Sequence, residues 1–507
     1  MPCWCNGKCP HVAAPAAMLA AGKVPEAALA LRTALTKAPL CPESNIMLAG
    51  ILARGNKALA AETHIDRAAR YGDPVQLWRE RAAIMRHQVK LESAAACFHE
   101  ALQADPENPN IWAGAIDAIE FAGELGEAKR LADMAREKFP ANANIRRVAA
   151  VVADGLGDTA GAIEILDWPG EDRLPIEWLN RGRYLETQGE YSQAWANWVH
   201  GKTLTRDRLG HHYKPEFWTC HFAALKAAAA PSWAEFMRPA PPLADGGPAP
   251  LFICGFPRSG TTLAETILSR HSAVLAGDEL MGISDVQTAL SAWCGVRAPY
   301  PAALIATSLG ENADIPELLR DLYLKGSRRR IGWQKVKGRA APKYFTDKMP
   351  LNELHLPLIR LLFPDAPIIR MVRHPLDVMV SCMSHWLAHG GFFASSLEAC
   401  ARHYAGVDDV ITSYQRHQST AWWNYEDLVQ HDREKITREM LDFAGLKFEA
   451  ATMTPHKNPR TARTLSYNQV RKPVTAASVG RWKNYRQWLG PAVEILRPIL
   501  ERDGYDF

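Results

Sequence analysis

The stretch Leu251-Phe252-Ile253-Cys254-Gly255-Phe256-Pro257-Arg258-Ser259-Gly260-Thr261-Thr262-Leu263 decides the fold of the second half of this chain. Leu251 to Cys254 is an apolar run of the length and composition of a buried strand. A turn follows from Gly255 to Gly260, and Thr261 and Thr262 then open an amphipathic helix. Strand, glycine turn and helix in that order aim backbone N–H groups and a helix N-terminus at one spot, which makes an anion site. The segment nearly fits G-x-x-x-x-G-K-[ST], but Thr261 stands where that pattern has lysine. A loop without the lysine that reaches β- and γ-phosphates, yet with Arg258 inside the turn, suits a ligand that has no γ-phosphate.

Strand–helix alternation continues beyond the loop. Ala366–Val372 and Ser419–Tyr425 also read as short buried strands, each followed by a helical stretch. Apolar strands alternating with helices predict a parallel sheet covered on both faces, with ligands beyond the carboxyl ends of its strands. Arg373 leaves the end of one strand and Ser381 lies about two turns into the next helix, so the pair can clamp a second phosphate.

The first two hundred residues follow another rule. Prolines recur at Pro39, Pro74, Pro106, Pro140 and Pro175, with gaps of 35, 32, 34 and 35 residues. A period near 34 is the tetratricopeptide spacing, one helix–turn–helix per unit. Trp78, Ala82, Met85, Ala94, Phe98 and Ala101 place large and small residues where two packed helices need them. Trp178, Gly182, Leu185, Ala194 and Trp198 do so again, and Trp112, Ile119, Ala128 and Ala135 more weakly. The reading is a tetratricopeptide-repeat α-solenoid of about five units over 10–205. A connector rich in alanine and proline covers 206–248, and a P-loop-like α/β domain with a parallel sheet covers 249–507.

Composition narrows the class. Hydrophobic residues make up 47% and charged residues 22%, as in ordinary globular proteins. A net charge of +4 is too small to imply nucleic-acid binding. No apolar stretch approaches the ~18 residues of a membrane span, and the expected location is cytoplasmic. Cys3, Cys5 and Cys9, with His11 nearby, fit no common zinc spacing and read as a terminus without function. Lys325, Arg328, Arg329, Arg330, Lys335, Lys337 and Arg339 form a basic run, either a solvated face or a dock for an acidic acceptor.

A phosphate loop followed by Arg-x7-Ser at a strand–helix junction resembles the sulfotransferases that use 3′-phosphoadenosine 5′-phosphosulfate (PAPS). The likeness is closest to protein-tyrosine sulfotransferases. Gly277-Asp278-Glu279, Thr346-Asp347-Lys348-Met349-Pro350, Tyr425-Glu426-Asp427-Leu428 and Ser466-Tyr467-Asn468-Gln469-Val470-Arg471-Lys472-Pro473-Val474 follow in the family's order. The resemblance implies that Glu279 takes the acceptor's proton. Arg258 and Lys348 would stabilise charge on the leaving side, and Ser466 would add a hydrogen bond. Ser259, Gly260, Thr261 and Thr262 would hold the 5′-phosphosulfate, and Arg373 and Ser381 the 3′-phosphate. Tyr425, Lys472 and Arg481 are further candidates for nucleotide contacts.

The resemblance implies PAPS as co-substrate and no metal. The implied acceptor is a hydroxyl, foremost a tyrosine of a peptide or protein, with a small molecule or glycan as alternatives. A protein partner is expected for the repeats, and no nucleic acid. His385 replaces an arginine that the family places four residues past the serine matched by Ser381. Two other classes stay open: a kinase, which Thr261 argues against, and a repeat scaffold that binds nucleotide without turnover.

Overall fold

The computed structural model describes residues 9–507 except 55–57, 70, 88–90, 170–172, 229–237, 244–245, 309–311, 334–340, 388–390, 416–420 and 459–472. Ser466 and Lys472 therefore lie outside the described residues, as do Cys3, Cys5, Lys335, Lys337 and Arg339. The chain divides into two compact units, Met1–His211 and His212–Phe507.

The regular structure of the first unit is all helical among the described residues. Among the described residues, twelve helices from Ala13–Ala20 to Tyr191–Leu209 follow one another as six pairs, one more than the proline spacing suggests. Prolines punctuate the pairs: Pro74 and Pro175 open helices, where a missing N–H costs nothing, and Pro106 and Pro140 sit between them. Packing follows the size pattern. Ala82, Ala94, Phe98 and Ala101 share one buried cluster, and Trp112, Ala128 and Ala135 share the next. A Cβ on Gly182 would come within 2.4 Å of the fully buried Trp198 ring, so the small residue is what admits the large one. Arg146 and Glu177 form a buried ion pair at 3.1 Å between adjacent repeats. The Glu177 carboxylate also accepts the Leu174 N–H at 2.6 Å, which leaves neither charge without a partner.

Among the described residues of the second unit, five strands form an all-parallel sheet in the order β2-β3-β1-β4-β5. They are β1 Ala249–Cys254, β2 Val274–Leu275, β3 Tyr344–Asp347, β4 Ile368–Val372 and β5 Ala421–Asn424. β1 is central, with Phe252 aligned to Asp347 of β3 on one side and Ile368 of β4 on the other. Alternate residues of β1 serve opposite faces. Leu251 and Ile253 join a core with Leu263, Ile267, Ile369, Met371, Met440 and Leu441. Phe252 instead packs near Tyr323 and Phe363, with ring centroids 5.9 Å away in both cases.

Three expectations need correction. β2 and β3 were not read from the pattern, because β2 is only two residues long and β3 mixes Phe345 with Thr346 and Asp347. Tyr425 opens the helix Tyr425–Gln430 and does not end β5, which stops at Asn424. Finally, the stretch 206–248 contains the helix Pro215–Ala227. Its alanines are the small residues of a helix whose Phe222 and Leu225 are buried. Phe222 lies against Gly406 of the helix Leu397–Gln415, where a Cβ would come within 2.1 Å of the Phe222 ring.

Candidate active site

The loop after β1 is shaped by two glycines. Gly255 has φ +142°, and a Cβ there would meet the Met371 carbonyl oxygen of β4 at 2.3 Å. Gly260 has φ +99° and would meet the Tyr425 ring at 2.5 Å. Between them Arg258 takes φ +76°, uncommon for a side-chain-bearing residue and a mark of a site held by its surroundings. Gly260 caps the helix Thr261–Leu268, whose first N–H groups have no acceptor inside the helix. Ser259 is buried and its Oγ has no hydrogen-bond partner among the described residues. A loop of this shape with an orphaned hydroxyl fits an oxyanion.

The Arg258 side chain does not stay within its own loop. Its Nε donates to Ser381 Oγ at 2.9 Å, and its Nη2 lies 3.4 Å from His385 Nε2. Arg373 closes the other side, donating through Nη1 to the Arg258 carbonyl at 3.1 Å and through Nη2 to the Ser478 carbonyl. Its guanidinium also lies 4.8 Å from the Tyr425 ring centroid, while its buried Nε has no partner among the described residues. Arg481 donates to Ser384 Oγ at 3.1 Å, one residue from His385. Asp377 holds this group together: it lies 3.8 Å from Arg373 and accepts the Gly480 and Trp482 N–H groups, each at 2.8 Å. With Arg258, Arg373 and Arg481 in this group and Asp377 the carboxylate paired to Arg373, the group is built for an anion.

A second cluster forms where β3 ends. Lys348, fully buried, donates to Glu279 Oε1 at 2.8 Å. Burial alone depresses the Lys348 pKa, but Glu279, Glu265 and Asp278 outweigh it and hold the ammonium above the ordinary lysine value. The turn bearing Glu279 hangs on buried polar groups. Gly277 N–H donates to Thr346 Oγ1 at 2.9 Å, and Asp278 N–H to Glu265 Oε1 at 2.9 Å. Thr346 Oγ1 donates to that same Glu265 oxygen at 2.5 Å. A Cβ on Gly277 would lie 2.0 Å from the Thr346 carbonyl oxygen, so only glycine fits. Beside Lys348, burial pushes the Asp347 carboxyl up to about 7, while the hydrogen bond from Tyr323 OH at 2.7 Å pulls the other way.

The two clusters flank β1, one from β3 and one from β4, at the carboxyl ends of the strands where the chain reverses its direction of winding. Residues 250–450 match the Sulfotransferase family. Residues 87–152 match the tetratricopeptide repeat.

An uncharacterized protein of Aquifex aeolicus is 24% identical over 86% of this chain and 56% of its own length. Protein-tyrosine sulfotransferase 1 of Danio rerio is 25% identical over 50% of this chain and 72% of its own. This chain thus spans little more than half of the Aquifex relative. Among solved structures, the sulfotransferase domain from the curacin biosynthetic pathway covers 51% of this chain and 99% of its own, at 18% identity and a TM-score of 0.36.

In the second unit, Arg258, Ser381, Arg373, Tyr425 and Arg481 come together, as do Glu279 and Lys348. His385, the departure from the family pattern, lies within the arginine cluster. Sequence reading missed Glu265, Thr346, Asp377 and Ser384. The signal for Glu265 was a lone acid inside the apolar helix Thr261–Leu268. Of the basic run, Arg328 is committed to structure: it donates to the Pro248 carbonyl at 3.0 Å, and its guanidinium lies 5.3 Å from the Trp333 ring centroid. Among the described residues no helix is long and apolar enough to cross a membrane.

Proposed function

We propose that the second unit transfers the sulfuryl group of PAPS to a hydroxyl, with a tyrosine of a peptide or protein as the leading acceptor. The observation that carries this reading is the two-ended site: a lysine–glutamate pair on one side of the loop and an arginine–serine–histidine cluster on the other. The donor has the matching asymmetry, a phosphosulfate at one end and a 3′-phosphate at the other. The match of residues 277–279, 346–350 and 425–428 to protein-tyrosine sulfotransferases supports tyrosine as acceptor, and the likeness to the Danio rerio enzyme supports it further.

In the proposed reaction the acceptor oxygen attacks sulfur and forms the new O–S bond. The S–O bond to the 5′-phosphate breaks, its electron pair leaving with 3′,5′-ADP. Glu279 accepts the acceptor's hydroxyl proton. Lys348 places its buried charge beside the developing negative charge, a preorganised contribution that water could not match. The loop N–H groups and Ser259 hold the phosphosulfate, and Arg258 joins that end to Ser381. Arg373, Ser381, Arg481 and His385 hold the 3′-phosphate. The adenosine supplies no chemistry, so catalysis here is positioning and charge stabilisation. Ser466 and Lys472 belong to the same proposal as a further donor and a nucleotide contact. The repeats would bring a protein partner, through the concave surface such solenoids offer.

Thermal melting tests the donor. At ~100 times its Kd, 3′,5′-ADP should stabilise the protein by about 2.7 kcal/mol, where ADP and Mg-ATP give far less. No shift with 3′,5′-ADP would sink the proposal. Transfer of radiolabelled sulfate to tyrosine peptides, phenols and glycans then separates the acceptor classes.

A further inference from the structure

Far from that site in sequence, two cysteines of the first unit meet. Cys9 Sγ and Cys41 Sγ lie 3.2 Å apart, 32 residues distant along the chain, and both are buried. Their surroundings are Ala38, Val12 and Leu35. A half-buried carboxylate joins them, with Glu43 Oε2 3.6 Å from Cys41 Sγ, and the three ligand atoms all fall within 4.8 Å of one another. Cys41 directly precedes the helix Pro42–Arg54, and its carbonyl accepts the Asn45 N–H at 3.1 Å. Its sulfur therefore lies over a helix N-terminus, the place where a thiolate is best stabilised. The Ser44 hydroxyl is 3.3 Å from that sulfur and the Ser44 amide also hydrogen-bonds to it. Two buried thiols, a carboxylate, and a serine hydroxyl and amide around one sulfur are more than packing asks of two small apolar-like side chains.

We propose that Cys9, Cys41 and Glu43 form a zinc site that clasps the segment before the first helix to the start of the third. The donor chemistry selects the ion: two thiolates favour a soft, tetrahedral d10 cation over magnesium or calcium. Bond lengths of ~2.3 Å to sulfur and ~2.0 Å to oxygen put a tetrahedral S···O edge at about 3.5 Å and the S···S edge at about 3.8 Å. The first edge is already present at 3.6 Å, and the thiols need to part by roughly half an ångström from their 3.2 Å contact. Binding displaces two thiol protons to solvent, because the metal is held by thiolates. The fourth position is left to water. The clasp would tie the first described helix pair of the array to the second.

The test is titration of the reduced, full-length protein with Co²⁺, followed by displacement with Zn²⁺. We expect one equivalent per chain, with the near-ultraviolet band of cobalt–thiolate charge transfer. Cys3→Ser/Cys5→Ser should leave that band in place. Cys41→Ser should remove it while far-ultraviolet circular dichroism stays the same. Glu43→Gln keeps both thiols and the core, and should weaken Zn²⁺ binding roughly ten-fold or more. The proposal is overturned by no band in the wild-type protein, by a band that survives Cys41→Ser, or by one lost on Cys3→Ser/Cys5→Ser alone. A Cys9–Cys41 disulfide peptide in place of bound metal, found by mass spectrometry of protein isolated without reductant, also overturns it.

Discussion

Glu279 and Lys348 are bound to each other at 2.8 Å, so each has a partner before any acceptor enters. In the proposed chemistry Glu279→Gln removes the proton acceptor but not the nucleotide contacts. It should lower the transfer rate by ~10²–10³ while 3′,5′-ADP still shifts the melting curve. Lys348→Met should cost at least as much and also destabilise the fold, since it strands Glu265, Asp278 and Glu279 near one another. Steady-state rates beside melting curves separate the two effects.

Asp347 gives a pH prediction of its own. Its folded value of about 7 lies above the ~3.9 of an unfolded aspartate, so the native state binds more protons between the two. Stability must then fall as pH rises through that interval and level off above it. Asp347→Asn should flatten this decline, and urea midpoints on either side of the interval check it. An unchanged slope would refute the assignment.

Such residues also mark how far the sequence could be read. Arg373 and Ser381 were legible because a strand–helix junction fixes where each side chain sits. The loop was legible because its glycines and its missing lysine speak locally. Glu265, Thr346 and Asp377 were not, because each acts through one tertiary hydrogen bond that no local pattern encodes. That Arg258 leans onto Ser381 and His385 was equally hidden, for the contact joins residues 123 and 127 positions apart.

At the level of elements, the β1 loop is rigid in a testable way. Gly255→Ala drives a methyl group into the backbone of β4, and the carbonyl it meets cannot swing aside. A loss of about 1–3 kcal/mol is expected, read as a lower urea midpoint with the donor absent. Gly260→Ala meets the Tyr425 ring first, a side chain rather than backbone, so the fold should lose less than with Gly255→Ala while 3′,5′-ADP binding weakens. The helix Pro215–Ala227 carries the complementary lesson. Its alanine-rich sequence lacks strong periodic contrast, and its burial is set by a glycine on another helix. Likewise β2 is too short for any periodicity to show, whereas the proline spacing of the first unit announces five of its six helix pairs.

For the whole molecule, every described residue of the site lies in His212–Phe507. That unit expressed alone should therefore keep the full melting shift with 3′,5′-ADP. A shift that vanishes would mean that the repeats take part in donor binding. Should the acceptor be an acidic peptide, Lys325 and Arg329 are the proper probes of the basic run, because both are exposed and Arg328 braces Pro248. Reversing their charge should raise KM for an acidic peptide and spare a neutral phenol.

The order of the sheet has a metric consequence. Lys348 follows the end of β3 and Arg373 the end of β4, with β1 alone between them. Two strand spacings of ~4.8 Å set the jaws about ten ångströms apart. Hydrogen bonds fix that gap, so the sheet works as a caliper. On the proposed function, a nucleotide would then be sorted by the span between its two anionic ends, and ADP, whose phosphates all hang from one carbon, would fill a single jaw.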